Sequence, residues 1–227
     1  MILLSCLISA VLGYLFGSIN SAILTVKLLK HEDVRNFGSG NAGLTNTLRC
    51  FGKGCALITL IGDLSKGMIA VLLSQTFGRM LSGENTDLYL LGCIAGIFSI
   101  LGHVFPLYHG FKGGKGVLVG VSIFLILDWR VFLILIGIFS LVLVISKYVS
   151  LSSIIATACC PFVTFCAQYF WNDMHHQEFT LNQIFLHFGL LCIMAFMIIF
   201  MHRSNIERLK NGTESKIGQK GKKINDK

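Results

Sequence analysis

The chain has 227 residues, of which 54% are hydrophobic and only 13% are charged, and its mean hydropathy is +0.73. A soluble core of this length does not need so much apolar surface, so the composition excludes an ordinary soluble domain and indicates a polytopic helical membrane protein. The net charge of +8 does not indicate nucleic-acid binding, because the cations cluster between apolar segments and in the C-terminal tail.

Seven transmembrane helices are predicted. The first begins at the N-terminus, where an apolar run without a basic region argues against a cleaved signal peptide. Residues 117–146 are too long for one crossing without a steep tilt, so the polar break Asp128-Trp129-Arg130 is interpreted as a turn between two helices. The seven predicted spans are 1–27, 55–77, 88–108, 112–128, 130–147, 152–170 and 183–201.

Lysine and arginine are distributed unevenly between the two ends of these spans. With the N-terminus outside, sixteen of the 19 lysines and arginines fall on the cytoplasmic side. Arg79 and Arg130 fall outside, and Lys66 lies within the second span. The positive-inside rule therefore predicts an external N-terminus and a cytoplasmic C-terminus. The basic tail 215–227 is predicted to be disordered and to lie against the membrane.

The first predicted cytoplasmic loop, 31–54, is rich in glycine and short polar side chains. Such a mixture is typical of a tight, ligand-facing loop, and a helix over 42–48 would turn its N-terminal amides toward an anion. An ordinary flexible loop is the alternative. The candidate ligand-contacting residues are Ser39, Asn41, Gly43, Asn46 and Arg49.

The second cytoplasmic loop, 109–116, contains Phe111-Lys112-Gly113-Gly114-Lys115-Gly116. Glycines let several backbone N–H groups face one anion, and lysines beside them supply the countercharge. The spacing and the Lys-Ser/Thr ending of a Walker loop are absent. Lysines that only mark the inner membrane face would explain the charge but not the three glycines. Phosphate binding is therefore predicted for Lys112, Gly113, Gly114, Lys115 and Gly116.

A third polar segment begins where the last predicted span ends. On a continuing helix, His202, Asn205 and Arg208 share a face or lie close to one another. That face is suited to a phosphate or a hydroxyl group, and a helix end that snorkels its basic side chains to the surface is the alternative.

Two further positions carry ionisable side chains within the predicted spans. Asp63 and Lys66 have i,i+3 spacing, which allows mutual neutralisation. Intramembrane charges are costly, so support of a functional site is the first interpretation and a purely structural pair is the second. His103, near the inner end of the third span, is interpreted as a hydrogen-bonded structural residue.

Motifs that are absent from the sequence exclude further classes of enzyme site. It has no Gly-x-Ser-x-Gly nucleophile elbow and no zinc-type spacing. Its eight cysteines are interpreted as small hydrophobic residues in helices. No metal site and no cofactor is therefore predicted.

With these motifs in their order, the chain closely resembles the bacterial acyl-phosphate:glycerol-3-phosphate acyltransferases, the PlsY family, over nearly its whole length. The matching segments are Gly17-Ser18-Ile19, Gly38-Ser39-Gly40-Asn41 with Thr45-Asn46 and Arg49, Asp63-x-x-Lys66-Gly67, Gly102-His103-x-x-Pro106, Phe111–Gly116, and His202-x-x-Asn205-Ile206-x-Arg208-Leu209 with Gly212 and Glu214. One departure is Met201, which stands where an arginine often precedes the histidine.

The resemblance implies a multi-pass enzyme of the bacterial inner membrane whose active site faces the cytoplasm. Such enzymes transfer a fatty acyl group from acyl phosphate to the 1-hydroxyl of glycerol 3-phosphate, which gives lysophosphatidate and inorganic phosphate. This is the first acylation of phospholipid synthesis, and it uses neither acyl-CoA nor acyl carrier protein directly. Membrane lipid and an enzyme that forms acyl phosphate are the expected partners.

The implied organisation is one transmembrane acyltransferase domain, 1–201, with motif loops 31–54 and 109–116, and a third motif at 202–214. A small transporter of anions or lipids, with Asp63 and Lys66 as a coupling pair, is the alternative, although no inverted repeat is evident. Under the resemblance we assign catalysis to Ser39, Lys112 and His202, and substrate binding to Asn41, Gly43, Asn46, Arg49, Gly113, Gly114, Lys115, Gly116 and Asn205.

Overall fold

The computed structural model describes residues 1–170 and 179–219, and these residues form ten α-helices. The prediction of an all-helical fold is confirmed. Short 3-10 turns cover Val34–Asn36 and Leu107–His109. The helices are α1 (Ile2–Gly17), α2 (Ser21–Lys30), α3 (Leu44–Ser82), α4 (Leu88–Val104), α5 (Val117–Ser122), α6 (Phe124–Leu127), α7 (Trp129–Ser146), α8 (Val149–Phe170), α9 (Leu181–Met201) and α10 (Arg203–Lys210).

Six helical segments in the described part of the chain are long and apolar enough to cross a membrane. They are Ile2–Lys30, Leu44–Ser82, Leu88–His109, Trp129–Ser146, Val149–Phe170 and Leu181–Met201. The predicted fourth span, 112–128, has a different form, because the loop continues to Gly116 and only Val117–Leu127 is apolar and helical. Its helices α5 and α6 meet at Ile123, and together they rise only about 16 Å, roughly half of the hydrocarbon thickness.

Small side chains let α1 and α4 approach closely. A Cβ added to Gly13 would lie 2.4 Å from the Ala95 carbonyl oxygen, and one added to Gly17 would lie 2.1 Å from that of Ser99. Close backbone contact of this kind is how helices associate in membranes, where lipid offers no hydrophobic driving force. The buried residues of α1 recur every fourth position and are Ser5, Ser9, Gly13 and Gly17.

Helix α4 lies at the centre of the bundle. It contacts α1, α3, α5 and α9, and Leu91 and Ile100 on it are fully buried. Ile123 and Phe124, where α5 meets α6, complete this core. The outer helices expose large apolar side chains, as expected of surfaces that face lipid. Examples are Leu7, Ile58, Leu141, Phe162 and Phe196.

Two predicted spans have different boundaries in the structure. The first is divided into α1 and α2, and Asn20 caps α2 by accepting a hydrogen bond from the Ile23 N–H at 3.0 Å. The second belongs to α3, which already begins at Leu44, so most of the predicted helix over 42–48 is present. Gly52, with φ of 81°, breaks the axis of α3 between the first motif and the span. The motif segment can therefore pack on α2, where Ala42 joins Ala22 and Val26.

Candidate active site

One cavity of about 720 Å³ lies where the three motifs meet. The predicted site residues that line it are Ser39, Asn41, Gly43, Asn46, Arg49, Lys115, Gly116, His202 and Asn205. Polar lining residues outside the predicted set are Thr45, Asp63, His103, Ser150, Ser153, Arg208, Glu214 and Ser215. The fold thus brings together segments that are more than 150 residues apart in the sequence.

Asn46 organises the first motif from within. Its side chain is only 2% exposed, and its Oδ1 accepts a hydrogen bond from the Ser39 N–H at 3.0 Å. Its Nδ2 donates to the carbonyl oxygens of Val34, at 3.2 Å, and Phe37, at 2.9 Å. Because a buried amide holds three points of one loop, Ser39 is fixed at the surface of the cavity.

The glycine pair of the second motif packs against the end of α4 and does not line the cavity. The Gly113 N–H donates to the Val104 carbonyl at 3.0 Å, and the Gly114 N–H donates to the His103 carbonyl at 3.1 Å. A Cβ on Gly113 would lie 1.9 Å from the His103 carbonyl oxygen. These glycines therefore allow the close approach that directs the next residue, Lys115, into the cavity.

Lys115 reaches across the cavity to the third motif. Its Nζ donates a hydrogen bond to Asn205 Oδ1, while Asn205 Nδ2 donates to Glu214 Oε1 at 2.6 Å. Arg208 Nε donates to Glu214 Oε2 at 2.7 Å. Burial and the nearby arginines, opposed by Glu214, lower the pKa of Lys115 to about 8. The ammonium is thus still predominantly charged near neutral pH.

Glu214 anchors this chain of hydrogen bonds. Burial raises its pKa, but hydrogen bonds from Asn205 and Arg208 outweigh that effect, and the pKa of Glu214 is lowered. Arg208 and Glu214 were named in the third motif but were not assigned to catalysis or substrate binding, although their opposite charges lie six residues apart in one polar segment. Ser150 and Ser153, at i,i+3 spacing near the start of α8, were a weaker signal, because this helix carries other serine and threonine residues as well.

His202 lies at the junction of α9 and α10 and is only 3% exposed. Its Nδ1 is 2.8 Å from the Ile198 carbonyl oxygen, so the proton is assigned to Nδ1 and Nε2 is left as an acceptor. Burial, reinforced by the charge of Lys115 and opposed by that carbonyl, lowers the pKa of His202 to about 4. The imidazole is therefore neutral near neutral pH and can accept a hydrogen bond from a hydroxyl group.

Lys112 lies in a second cavity of about 1010 Å³, not in the first. Its neighbours there include Lys27, His109 and Arg35. Arg35 pairs with Asp33 at 2.6 Å and donates to the His109 carbonyl at 2.8 Å, which ties the first loop to the second. The two lysines of the second motif therefore face different spaces.

The chain is similar to known proteins over nearly its whole length. The family described as glycerol-3-phosphate acyltransferase matches residues 7–212. The glycerol-3-phosphate acyltransferase of Prochlorococcus marinus (strain MIT 9312) is 44% identical over 207 residues, covering 91% of this chain and 95% of the relative. That of Clostridioides difficile (strain 630) is 38% identical over 216 residues, covering 95% and 97%.

Solved structures give the same answer. The crystal structure of PlsY (YgiH), an integral membrane glycerol 3-phosphate acyltransferase, in its glycerol 3-phosphate form has a TM-score of 0.77 at 32% identity and covers 94% of this chain and 96% of that one. Its lysophosphatidic acid form has a TM-score of 0.73 at 30% identity, with the same coverage. Sequence and fold thus agree, and the chain belongs to the glycerol-3-phosphate acyltransferase family.

Proposed function

We propose that the protein transfers a fatty acyl group from acyl phosphate to the 1-hydroxyl of glycerol 3-phosphate. The products are lysophosphatidate and inorganic phosphate. The observation that carries the proposal is a cavity in which all three motifs present cations and hydrogen-bonding groups next to an apolar wall. The relatives and the crystal forms named above support the acceptor and the product, and the second motif supports a phosphate-bearing donor.

The charge balance of the cavity favours anionic ligands. Among its lining residues, Glu214 pairs with Arg208 at 2.7 Å, and Asp63 pairs at 3.0 Å with Lys66, which lies outside the lining. Arg49 and Lys115 then remain without a carboxylate partner among the described residues. Two cations of this kind offset part of the charge of two phosphate groups and position them for reaction.

The residues divide into two subsites in this proposal. Ser39, Arg49, His202 and Asn205 hold glycerol 3-phosphate, while Asn41, Gly43 and Asn46 shape the loop that carries Ser39. Lys115 and Gly116 hold the phosphate of the acyl phosphate, and Gly113 and Gly114 place them. Lys112 faces the second cavity, so it is given no contact in these two subsites.

The apolar wall of the cavity is suited to the acyl chain. Val117 and Leu118 of α5, Phe139 of α7 and Val149 of α8 line it. Helix α7 exposes Leu141 and its neighbours on the opposite side. An acyl chain from the bilayer would therefore enter between α5 and the α7–α8 pair without leaving an apolar environment.

The reaction needs little acid–base chemistry, because acyl phosphate is already activated. The substrate hydroxyl oxygen attacks the carbonyl carbon, the bond from that carbon to the phosphate oxygen breaks, and phosphate leaves. The hydroxyl proton moves to His202 Nε2 or to a phosphate oxygen. Direct attack is preferred over a Ser39 acyl-enzyme, because the described residues place no base against Ser39 that would activate it.

The proposal includes seven crossings, with the N-terminus outside and the motifs facing the cytoplasm of a bacterium. Support comes from the path of α5 and α6 along α4: a Cβ on Gly116 would meet Ile100, and a Cβ on Gly92 would meet Leu127. This short pair thus runs from the motif end of α4 toward its opposite end. Because seven is an odd number, the third motif after the last crossing lies on the side opposite the N-terminus. That side is the cytoplasmic one, where most of the cations lie.

The experiment is product formation by purified protein with labelled glycerol 3-phosphate and either palmitoyl phosphate or palmitoyl-CoA. Lysophosphatidate formed only with the acyl phosphate is expected. Product formed only with the CoA ester would refute the donor and keep the acyl transfer. An added acyl-phosphate-forming enzyme should support turnover from its own substrates if the two steps are coupled.

A further inference from the structure

A buried polar cluster beside the cavity has no part in the reaction as written. Asp63, Lys66 and His103 are each between 1% and 4% exposed. Lys66 Nζ lies 3.0 Å from Asp63 Oδ1, 2.7 Å from His103 Nδ1 and 3.0 Å from the Ile19 carbonyl oxygen. One ammonium group thus meets three acceptors, which belong to α3, α4 and the break between α1 and α2.

His103 connects this cluster to both motif loops. Because its Nδ1 accepts from Lys66, the ring proton is assigned to Nε2. A Cβ on Gly114 would lie 2.1 Å from His103 Nε2 and 2.7 Å from the Ala42 carbonyl oxygen. Gly114 of the second loop is therefore enclosed between the His103 ring and the backbone of the first loop.

The third acceptor of Lys66 leads to the first loop by another route. Ile19 precedes Asn20, whose Nδ2 donates to the same Ala42 carbonyl at 3.4 Å. Through one ammonium group, Lys66 therefore joins the end of α4, which holds the second loop, to the α1–α2 break, which holds the first. Apolar side chains of equal volume would pack the three helices but would not fix these distances, because dispersion contacts have no direction.

We propose that Lys66 is a positioning residue whose ammonium group sets the separation of the two motif loops and so directs Lys115 into the cavity. Asp63 and His103 line the cavity, whereas Lys66 does not. Lys66 therefore acts through the groups that it holds and not on a substrate. The inference rests on the proposed function, because Lys115 is assigned there to the phosphate of the donor.

The test compares Asp63→Asn, Lys66→Met and the double variant in the purified full chain. Asp63→Asn keeps an oxygen acceptor for Lys66 but removes its countercharge, so it should lose thermal stability, while the kcat of the folded enzyme should stay within about threefold of wild type. Lys66→Met removes all three contacts and leaves a carboxylate unpaired, so it should lose both stability and activity. The double variant removes that unpaired charge and should regain thermal stability, yet its kcat should stay about 10- to 100-fold low because the loops are misplaced.

A matched control lies at the other end of the bundle. His187 is fully buried, with Nε2 at 3.1 Å from Asp87 Oδ2 and Nδ1 at 3.2 Å from Gln168 Oε1. His187→Leu also removes a buried polar partner, but far from the motif loops. It should lower the thermal midpoint while kcat stays at the wild-type value, which separates positioning from general destabilisation.

A second readout does not depend on turnover. Reductive methylation of Lys115, followed by mass spectrometry, measures how strongly glycerol 3-phosphate or inorganic phosphate shields its amine. Wild type should be shielded, and Asp63→Asn/Lys66→Met should lose most of that shielding. If wild type makes no lysophosphatidate, the proposed function fails, while this comparison still tests Lys66.

Several results would overturn the inference. If the double variant has the kcat and the Lys115 shielding of wild type, the only role of Lys66 is to neutralise the charge of Asp63. A folded Asp63→Asn variant as inactive as Lys66→Met would assign the effect to Asp63 itself. If the Lys66 variants do not fold, two His103 variants test the same contact. His103→Asn keeps an acceptor near Nδ1 and should have a higher kcat than His103→Gln, which does not. Equal kcat values or the reverse order would also refute the role of Lys66.

Discussion

Replacing Lys115 with methionine removes one of the two cavity cations that have no carboxylate partner among the described residues. The change keeps an unbranched side chain, one heavy atom shorter, and removes its charge and its hydrogen bond to Asn205. Because Arg49 remains, we expect substrate binding to weaken but not to disappear. The larger effect should fall on the step in which charge develops on the departing phosphate.

The magnitude follows from the type of contact that is lost. A single preorganised donor directed at developing charge contributes about 10²- to 10³-fold in kcat, or about 2.7–4 kcal/mol. The buried Asn205 oxygen also loses a charged donor, a loss of about 1.5–3 kcal/mol that overlaps with the first and is not added to it. We therefore expect kcat/KM of Lys115→Met to fall by about 10²- to 10³-fold.

The assay is the initial rate of lysophosphatidate formation from palmitoyl phosphate, with both substrates varied. Lys30→Met, at the exposed end of α2 and outside both cavities, is the matched control and should keep wild-type rates. Thermal unfolding in detergent shows whether each variant is folded. A folded Lys115→Met variant whose kcat/KM stays within tenfold of wild type would refute the assignment of the donor phosphate to Lys115.

Three further outcomes are expected. In a pH profile, kcat/KM should decline on the alkaline side as Lys115, with a pKa of about 8, loses its proton, and Lys115→Arg should move that decline to higher pH. Gly114→Ala should lower product formation strongly, since its methyl group would lie 2.1 Å from His103 Nε2; a wild-type rate would mean that the loop does not pack as described. Asn46→Ala leaves three backbone groups without their hydrogen-bond partner, so the free energy of unfolding should fall by about 1–3 kcal/mol. Limited proteolysis should then cleave the segment between Asp33 and Leu44 faster than in wild type.

The overall architecture could be predicted because its signals are local. Apolar length depends only on composition along the chain, and six long apolar helical segments follow it in the described residues. The exception is 112–128, where apolar character is present but a continuous helix is not. Ile123, where α5 and α6 meet, lies in the buried core with Ile97 and Ile100 of α4, a tertiary contact that no single-segment pattern reports.

The sequence predicted which types of residue form the candidate site better than it predicted the role of each residue. Glycines, lysines and short polar side chains indicated anion binding, and nine of the twelve predicted site residues line one cavity. Their division of labour depends on tertiary contacts: Gly113 and Gly114 pack on α4, Asn46 holds backbone, and Lys112 faces the second cavity. The position of Glu214 beside Asn205 also required the fold, because the chain must turn back after α10 to bring them together.

The tail was predicted to be disordered over 215–227. Residues 215–219 are described, and there the Ile217 N–H donates to the Lys147 carbonyl at 2.9 Å. Lys216 also lies over the Tyr148 ring, with Nζ 5.7 Å from its centroid. These contacts hold the segment that follows Glu214 against the start of α8. The remainder of the predicted disordered segment, 220–227, lies outside the described residues.

Two cavity groups with shifted pKa values, His202 and Lys115, bear on where the hydroxyl proton goes. His202, with a pKa of about 4, is neutral and well placed to accept a hydrogen bond, but it is a weak base. A phosphate monoester has its second pKa near 6, so a substrate phosphate oxygen is roughly a hundredfold more basic than His202. Lys115, which stays charged up to a pH of about 8, neutralises the phosphate that departs. We therefore expect His202 to orient the hydroxyl and a phosphate oxygen to take its proton, with kcat/KM declining below about pH 6 and not only near pH 4.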